Sequence, residues 1–123
     1  MTNHVLLVED SRTQALRLQL ELGRHGLSVE VATTGNSGLE AARSKQPALI
    51  ILDVDLPEMD GYTLCRTLKA DPLTAHIPIV MLTKRDDARD AFAGLEVGAI
   101  DYIPKDSFAE KNLLDTLRQL GIL

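Results

Sequence analysis

Residues 48–61 read ALIILDVDLPEMDG, and this stretch decides the fold. Four apolar residues at 49–52 follow one another without a polar break, which is typical of a strand buried on both faces of a parallel sheet. Asp53 comes directly after them, and Pro57 and Gly61 mark a turn before the next segment. The stretch therefore predicts a central strand that ends in a carboxylate.

Four more runs rich in Val, Ile and Leu recur along the chain, and helix-like segments separate them. The predicted strands are 4–8, 29–32, 48–52, 77–82 and 99–103, and the middle helices lie near 36–45, 61–70 and 87–97. Only 29–31 alternates between apolar and polar residues, as an edge strand does. Strands that alternate with helices imply right-handed crossovers and a doubly wound α/β sheet, (βα)5, covered by helices on both sides. Such sheets bind ligands at the carboxyl ends of their strands.

Capping residues predict where the first and last helices begin. Ser11 with Gln14, and Ser107 with Glu110, form capping-box patterns three residues apart before an apolar periodicity. Gly121 is expected just past the end of the last helix, because glycine readily adopts the left-handed conformation found there.

Length, charge and cysteine content restrict the class of protein. The 123 residues are the size of one domain, so we expect 1–123 to form a single unit. The formal charge of -5 makes nucleic acid a poor direct partner. No apolar run approaches the roughly 18 residues of a membrane span, and no secretion signal is visible. Cys65 is the only cysteine, which excludes an internal disulfide and makes the cytoplasm the expected location.

Three residues that could suggest other chemistry have structural interpretations. We expect Cys65 to be a small buried core thiol, and Phe92 and Phe108 to be core or helix-staple residues.

Polar side chains follow the ends of four predicted strands. They are Glu9 and Asp10 after the first strand, Asp53 and Asp55 after the third, Thr83 after the fourth and Lys105 after the fifth. Acids before a helix are commonly caps, which is the plainer interpretation for Glu9 or Asp10 alone. Asp53 needs another explanation, because a charge directly after four apolar residues is costly without a cation or hydrogen bonds.

A phosphoryl-transfer site with Mg²⁺ accounts for these residue types. Mg²⁺ takes one or two carboxylates together with phosphate oxygens and water. A metal beside Asp53 would offset its repulsion toward a phosphoryl group, so that the carboxylate can attack phosphorus and form an acyl phosphate. Lys105 can pair with one phosphoryl oxygen, and the Thr83 hydroxyl can donate a hydrogen bond to another.

The full chain resembles the receiver domain of two-component response regulators. Residues 53–61 match the family's loop, D-x-x-[LM]-P-x-[LM]-D-G, with Asp53 at the phosphoacceptor position. The family's acidic pair, Ser/Thr and Lys positions match Glu9 with Asp10, Thr83 and Lys105. The resemblance implies a flavodoxin-like three-layer sandwich with a parallel five-stranded sheet of order 2-1-3-4-5.

The same resemblance implies roles and partners. Asp10 and Asp53 would bind Mg²⁺ through their side chains, Asp55 through its backbone carbonyl and Glu9 through water. Tyr102 matches the family's switch aromatic. A histidine kinase or phosphotransfer protein would donate the phosphoryl group, and a downstream protein or output domain would bind the face of helix 4, strand 5 and helix 5. The protein would be a signalling acceptor that catalyses only its own phosphorylation and dephosphorylation.

Two positions depart from the family pattern. Lys84 and Arg85 stand directly after the threonine, where the family usually has a small residue. We expect these cations either to alter dephosphorylation or phosphodonor choice, or to be solvated side chains. Pro104 precedes Lys105, whereas family members commonly carry proline after the lysine. Either the loop turns differently here, or the Lys105–Asp106 bond is cis without proline, at a cost in strain.

Two other functions stay open. Residues 52–55 also resemble the DxD nucleophile motif of haloacid-dehalogenase-like phosphatases, which are enzymes. Pro57 stands where that family has Thr or Val, and the acidic pair here precedes the motif instead of following it. The other alternative is a receiver fold used as a binding module without phosphorylation. The chain could be a stand-alone regulator or a piece of a longer kinase or effector.

Overall fold

A five-stranded parallel sheet forms the centre of the protein. The computed structural model describes residues 4–84 and 88–123, with side chains for all of these except 88–91. The strands are β1 (His4–Val8), β2 (Ser28–Ala32), β3 (Leu49–Asp53), β4 (Ile79–Thr83) and β5 (Asp101–Pro104). The helices are α1 (Arg12–Gly23), α2 (Gly35–Lys45), α3 (Gly61–Ala70), α4 (Ala88–Glu96) and α5 (Ala109–Gln119). The strand order is β2-β1-β3-β4-β5 and every pairing is parallel, so the predicted doubly wound (βα)5 flavodoxin-like fold is confirmed.

Helices on the two faces of the sheet enclose two separate cores. Leu49 and Ile51 of β3 pack with α1 and α5 on one face. Ile50 and Leu52 pack with α2 and α3 on the other. Successive side chains of a strand point to opposite faces, so a strand covered on both sides needs an unbroken apolar run. The edge strand β2 differs as predicted, because Val29, Glu30 and Val31 are only partly buried.

The start of α1 forms one half of the predicted Ser11–Gln14 capping box, and the end of α5 agrees with the prediction for Gly121. The Ser11 side chain accepts the backbone N–H of Gln14 at 3.3 Å. The Ser11 N–H donates to the Glu9 carboxylate at 3.4 Å, which leaves the Gln14 side chain free for another contact. Gly121 follows α5 with a φ of 75°, in the left-handed region.

The predicted Ser107–Glu110 capping box is wrong. Helix α5 begins at Ala109, and its N-cap Phe108 makes no side-chain capping bond. Asp106 instead accepts the N–H of Phe108 at 2.8 Å, so a turn formed by the preceding loop satisfies that donor.

Two strands begin two residues later than predicted. The runs at 77–82 and 99–103 start with Ile77 and Ala99, which are buried in the loops before β4 and β5. An apolar run indicates which residues are buried, and a loop that packs against the core is buried as well. The run therefore extends beyond the strand.

The thiol of Cys65 is buried as predicted, but the two phenylalanines are not in the core. Phe92 is 67% exposed and Phe108 63% exposed. Helix α4 turns Gly94 toward the sheet, where an added Cβ would come within 2.9 Å of Met81. Phe92 lies two positions away, about 200° around the helix, and therefore faces solvent.

Candidate functional site

Three carboxylates meet at the carboxyl ends of β1 and β3. Glu9 and Asp10 directly follow β1, and Asp53 is the last residue of β3. Each offers an oxygen within 4.8 Å of the others. Glu9 is 4% and Asp53 6% exposed, whereas Asp10 is exposed. All-oxygen donors that open to water on one side suit a hard divalent cation that retains part of its hydration shell, and so fit Mg²⁺.

The loop after β3 is hydrogen-bonded to Asp53, the last residue of β3. The backbone N–H of Asp55 donates to Asp53 Oδ1 at 3.1 Å. The N–H of Gly61 donates to the Val54 carbonyl at 2.8 Å, and Asp60 caps α3 by accepting the N–H of Thr63 at 2.8 Å. The Asp55 side chain is exposed and is not one of the three carboxylates that converge.

Lys105 reaches into the same cluster from the end of β5. Its ammonium nitrogen lies 2.5 Å from Glu9 Oε1, 2.7 Å from Gln14 Oε1 and 3.3 Å from Asp53 Oδ2. One cation thus lies between two buried carboxylates and a neutral amide, which offsets part of the repulsion between the acids.

The cluster keeps an excess of negative charge. The pKa of Glu9 is raised from 4.5 to about 7, first by burial and then by its hydrogen bond to Asp53, although Lys105 acts in the opposite direction. Three carboxylates surround one ammonium in this cluster, and burial makes the excess negative charge costly for Glu9. A bound cation would offset this excess.

Thr83 lies beside Lys105 at the adjoining strand end. Thr83 is the last residue of β4 and fully buried, and its carbonyl accepts the N–H of Lys105 at 2.6 Å. All peptide bonds of the described residues are trans, including Lys105–Asp106, so the loop turns without the cis bond that the sequence left open.

The remaining predicted positions lie around this centre. Tyr102 is half-buried on β5, paired in register with Met81 and close to Gly94 of α4. Lys84 is exposed and lines a cavity between α1 and α5 whose wall also includes Lys105. Arg85, predicted to act with Lys84, lies outside the described residues.

Comparison with known proteins identifies the family. The model of the response regulator receiver domain matches residues 5–118. The chain belongs to the receiver-domain family. Response regulator MprA of Mycolicibacterium vanbaalenii is 38% identical over 120 residues, 98% of this chain and 51% of that protein. Response regulator PleD of Caulobacter vibrioides is 40% identical over 105 residues, 85% of this chain and 23% of that protein. A crystal structure of a putative response regulator from Chloroflexus aurantiacus superposes with a TM-score of 0.90 at 37% identity, covering 98% of each chain.

The family match establishes the receiver domain alone. This receiver domain spans about half or less of the two curated relatives, so the activity of any longer protein is a matter for proposal. The phosphatase alternative loses its support, because the family model that matches is that of receiver domains, and Glu9 and Asp10 precede Asp53 in the chain. None of the helices in the described ranges combines the length and apolar character that crossing a bilayer requires.

One residue of the cluster was missed by sequence reasoning. Gln14 was interpreted as part of a helix cap, yet its side-chain oxygen binds Lys105. Its place in the first turn of the helix that follows the acidic pair was the available signal, since that turn lies over the carboxyl end of β1.

Proposed function

We propose that this receiver domain accepts a phosphoryl group on Asp53 from a histidine kinase or phosphotransfer protein, with Mg²⁺, and thereby changes its protein partners. The observation that carries the proposal is the convergence of Glu9, Asp10 and Asp53 within 4.8 Å, with Lys105 beside Asp53. The family match over 5–118 supports phosphorylation-controlled signalling in general.

The chemistry assigns a role to each residue. A carboxylate oxygen of Asp53 attacks phosphorus, a P–O bond forms, and the P–N bond of a phosphohistidine donor breaks, with the imidazole leaving and taking up a proton. Glu9, Asp10, Asp53 and the backbone of Asp55 would hold Mg²⁺, whose charge offsets the repulsion between Asp53 and the phosphoryl group.

Lys105 and Thr83 complete the phosphate site in this proposal. The Lys105 ammonium lies 3.3 Å from Asp53 Oδ2 and can pair with a phosphoryl oxygen once Asp53 is modified. Thr83 lies at the neighbouring strand end, where its hydroxyl can donate to a second oxygen. Phosphoryl transfer depends mainly on such positioning and charge stabilisation, so no further catalytic group is required.

The output surface we propose is α4, β5 and α5. Phe92, Leu95 and Ile100 are exposed there, an apolar group of the kind that protein partners cover. Tyr102 connects the phosphate site with this output surface, because it lies on β5 three residues before Lys105 and packs close to α4. Contraction of the site around a phosphoryl group would move β5 toward Asp53. That movement would shift the equilibrium between two packing positions of the Tyr102 side chain.

The first test is intact-mass spectrometry after incubation with acetyl phosphate and Mg²⁺. We expect one adduct of about 80 Da, the mass of HPO₃ added when a carboxyl group becomes an acyl phosphate. It should be absent without metal and in Asp53→Asn, and retained in the control Asp115→Asn, which changes an exposed carboxylate of α5. Should the wild type stay unmodified, the same incubation with Lys84→Ala distinguishes a blocked entrance from an inactive acceptor. Lack of modification in both would overturn the proposal in favour of a binding module that works without phosphorylation.

Amide hydrogen exchange tests the output surface. Phosphorylated protein should differ from unphosphorylated protein in the peptides of α4, β5 and α5, and not in α2. A change confined to the loops around Asp53 would contradict the proposed output face.

We also propose that 1–123 forms one receiver domain, since all the described strands belong to one sheet. The predicted cytoplasmic location belongs to the same proposal, and Cys65 as the only cysteine supports it because it fits a reducing compartment.

A further inference from the structure

The side chain of Gln14 makes a contact that its position in a helix cap does not explain. The Ser11 hydroxyl fixes the first turn of α1 by accepting the Gln14 N–H, and the Gln14 side chain is then directed to the sheet rim. There its Oε1 accepts a hydrogen bond from Lys105 Nζ at 2.7 Å, across 91 positions of sequence. Gln14 therefore belongs to the phosphoacceptor cluster.

The three contacts of Lys105 match the number of its donors. An ammonium group has three N–H bonds, and the structure gives Lys105 three acceptors, on Glu9, Gln14 and Asp53. The contacts to Glu9 and Gln14 are 2.5 and 2.7 Å, and the contact to Asp53 is longer at 3.3 Å. Two short bonds thus anchor the ammonium on the α1 side, and the longest one is directed at the phosphoacceptor.

The two residues that make the short contacts with Lys105 differ in charge and in their relation to the cation site. Glu9 is one of the three carboxylates that converge for a cation, so binding of a cation and binding of Lys105 draw on the same side chain. Gln14 is neutral and takes no part in that group. An amide oxygen can hold an ammonium without adding negative charge that would repel a phosphodonor.

We propose that Gln14 is a positioning residue that holds the Lys105 ammonium at the reaction site while its weakest contact, to Asp53, is exchanged for a phosphoryl oxygen. This inference rests on the proposed function. Losing Gln14 would leave one ammonium donor to water and widen the range of Lys105 positions, so phosphoryl transfer should slow without loss of fold.

A matched pair of variants on α1 tests it. Gln14→Leu removes the acceptor and keeps a good helix former. Gln19→Leu removes a comparable side-chain contact, since Gln19 Nε2 donates to the Val29 carbonyl at 2.8 Å, away from the cluster. We expect the rate constant for phosphorylation by acetyl phosphate to fall about five- to tenfold in Gln14→Leu and to change less than twofold in Gln19→Leu. Gln14→Asn, one methylene group shorter, should fall like Gln14→Leu.

A variant cycle shows whether Gln14 acts through Lys105. In a Lys105→Met background the further change Gln14→Leu should alter the residual phosphorylation rate less than twofold, because the group that Gln14 positions is gone. A full five- to tenfold loss in that background, or no loss in the wild-type background, would overturn the proposal.

NMR of ¹⁵N-lysine-labelled protein, free of metal and phosphodonor, tests the contact independently. The Lys105 ammonium signal, assigned by its absence in Lys105→Met, should be visible in wild type and Gln19→Leu, and broadened by faster proton exchange in Gln14→Leu. An unchanged signal in Gln14→Leu would refute the contact. If wild-type protein takes no phosphoryl group, the proposed function fails, and this spectrum still decides whether Gln14 holds Lys105.

Discussion

The contact between α3 and the end of β3 predicts that Gly61→Ala is strongly destabilising. A Cβ at position 61 would lie 2.6 Å from the Asp53 carbonyl oxygen and 2.7 Å from Val54 Cα. Both atoms are backbone, so no side-chain rotation relieves the overlap, and either α3 or the strand end must move. Overpacking of this kind costs about 1–3 kcal/mol in the free energy of unfolding. Because the overlap is with backbone, we expect the cost at the upper end of that range, and alanine's better helix propensity returns at most about 1 kcal/mol, which leaves a net loss of about 2–3 kcal/mol.

Urea unfolding followed by far-UV circular dichroism measures this loss. Gly23→Ala is the matched control, because a Cβ at the end of α1 meets nothing within 4 Å. That control should be as stable as wild type or up to about 1 kcal/mol more stable. Gly61→Ala should also accept phosphate more slowly, since the displaced atom belongs to Asp53. A Gly61→Ala protein as stable as Gly23→Ala would refute the steric reasoning.

Three further outcomes follow from the described contacts. In metal-free protein the raised pKa of Glu9, about 7, means that the folded state binds more protons than the unfolded state between about pH 4.5 and 7, so this stabilising contribution is lost as the pH rises through that window. The stability of Glu9→Gln relative to wild type should therefore rise by about 2 kcal/mol between pH 5 and pH 8, by urea midpoints in EDTA; an equal difference at both pH values would contradict this. Burial raises the pKa of the Cys65 thiol to about 11, so folded protein at pH 8 should react with a disulfide reagent at least about 100-fold more slowly than protein in urea, and rapid labelling would show that α3 opens. Ser11→Ala should cost about 1 kcal/mol through its lost cap whereas Ser107→Ala should change stability by less than about 0.5 kcal/mol; equal losses in thermal unfolding would restore the rejected capping box at α5.

Local patterns predicted well those features that depend on local chemistry. The apolar run before Asp53 identified β3 because a strand covered on both faces cannot include polar side chains. The Ser11 cap was correct, since the bond joins residues three apart. The Ser107 cap failed although its pattern was the same, because α5 begins at Ala109 and Ser107 lies one residue before the N-cap position.

Packing decided the exposure of the aromatic residues. An isolated Phe in an apolar helix favours the core, yet Phe92 faces solvent because Gly94 provides the close contact with the sheet. The orientation of α4 depends on which residue allows the nearest approach, and composition does not reveal that.

The sequence by itself determined the α/β order of elements, the sheet rim where a site would form, and the acids, threonine and lysine that supply it. Hydrophobic periodicity and the placement of polar residues at strand ends are enough for this, because each is read within a few neighbouring residues. Only the tertiary structure decided that Gln14 and Glu9 share Lys105. These partners are 91 and 96 positions away from Lys105, and they meet it because the carboxyl ends of all the parallel strands lie along the same rim of the sheet. Short stretches of sequence show which residue types a site contains, whereas the distances between those residues depend on the packing of the whole chain.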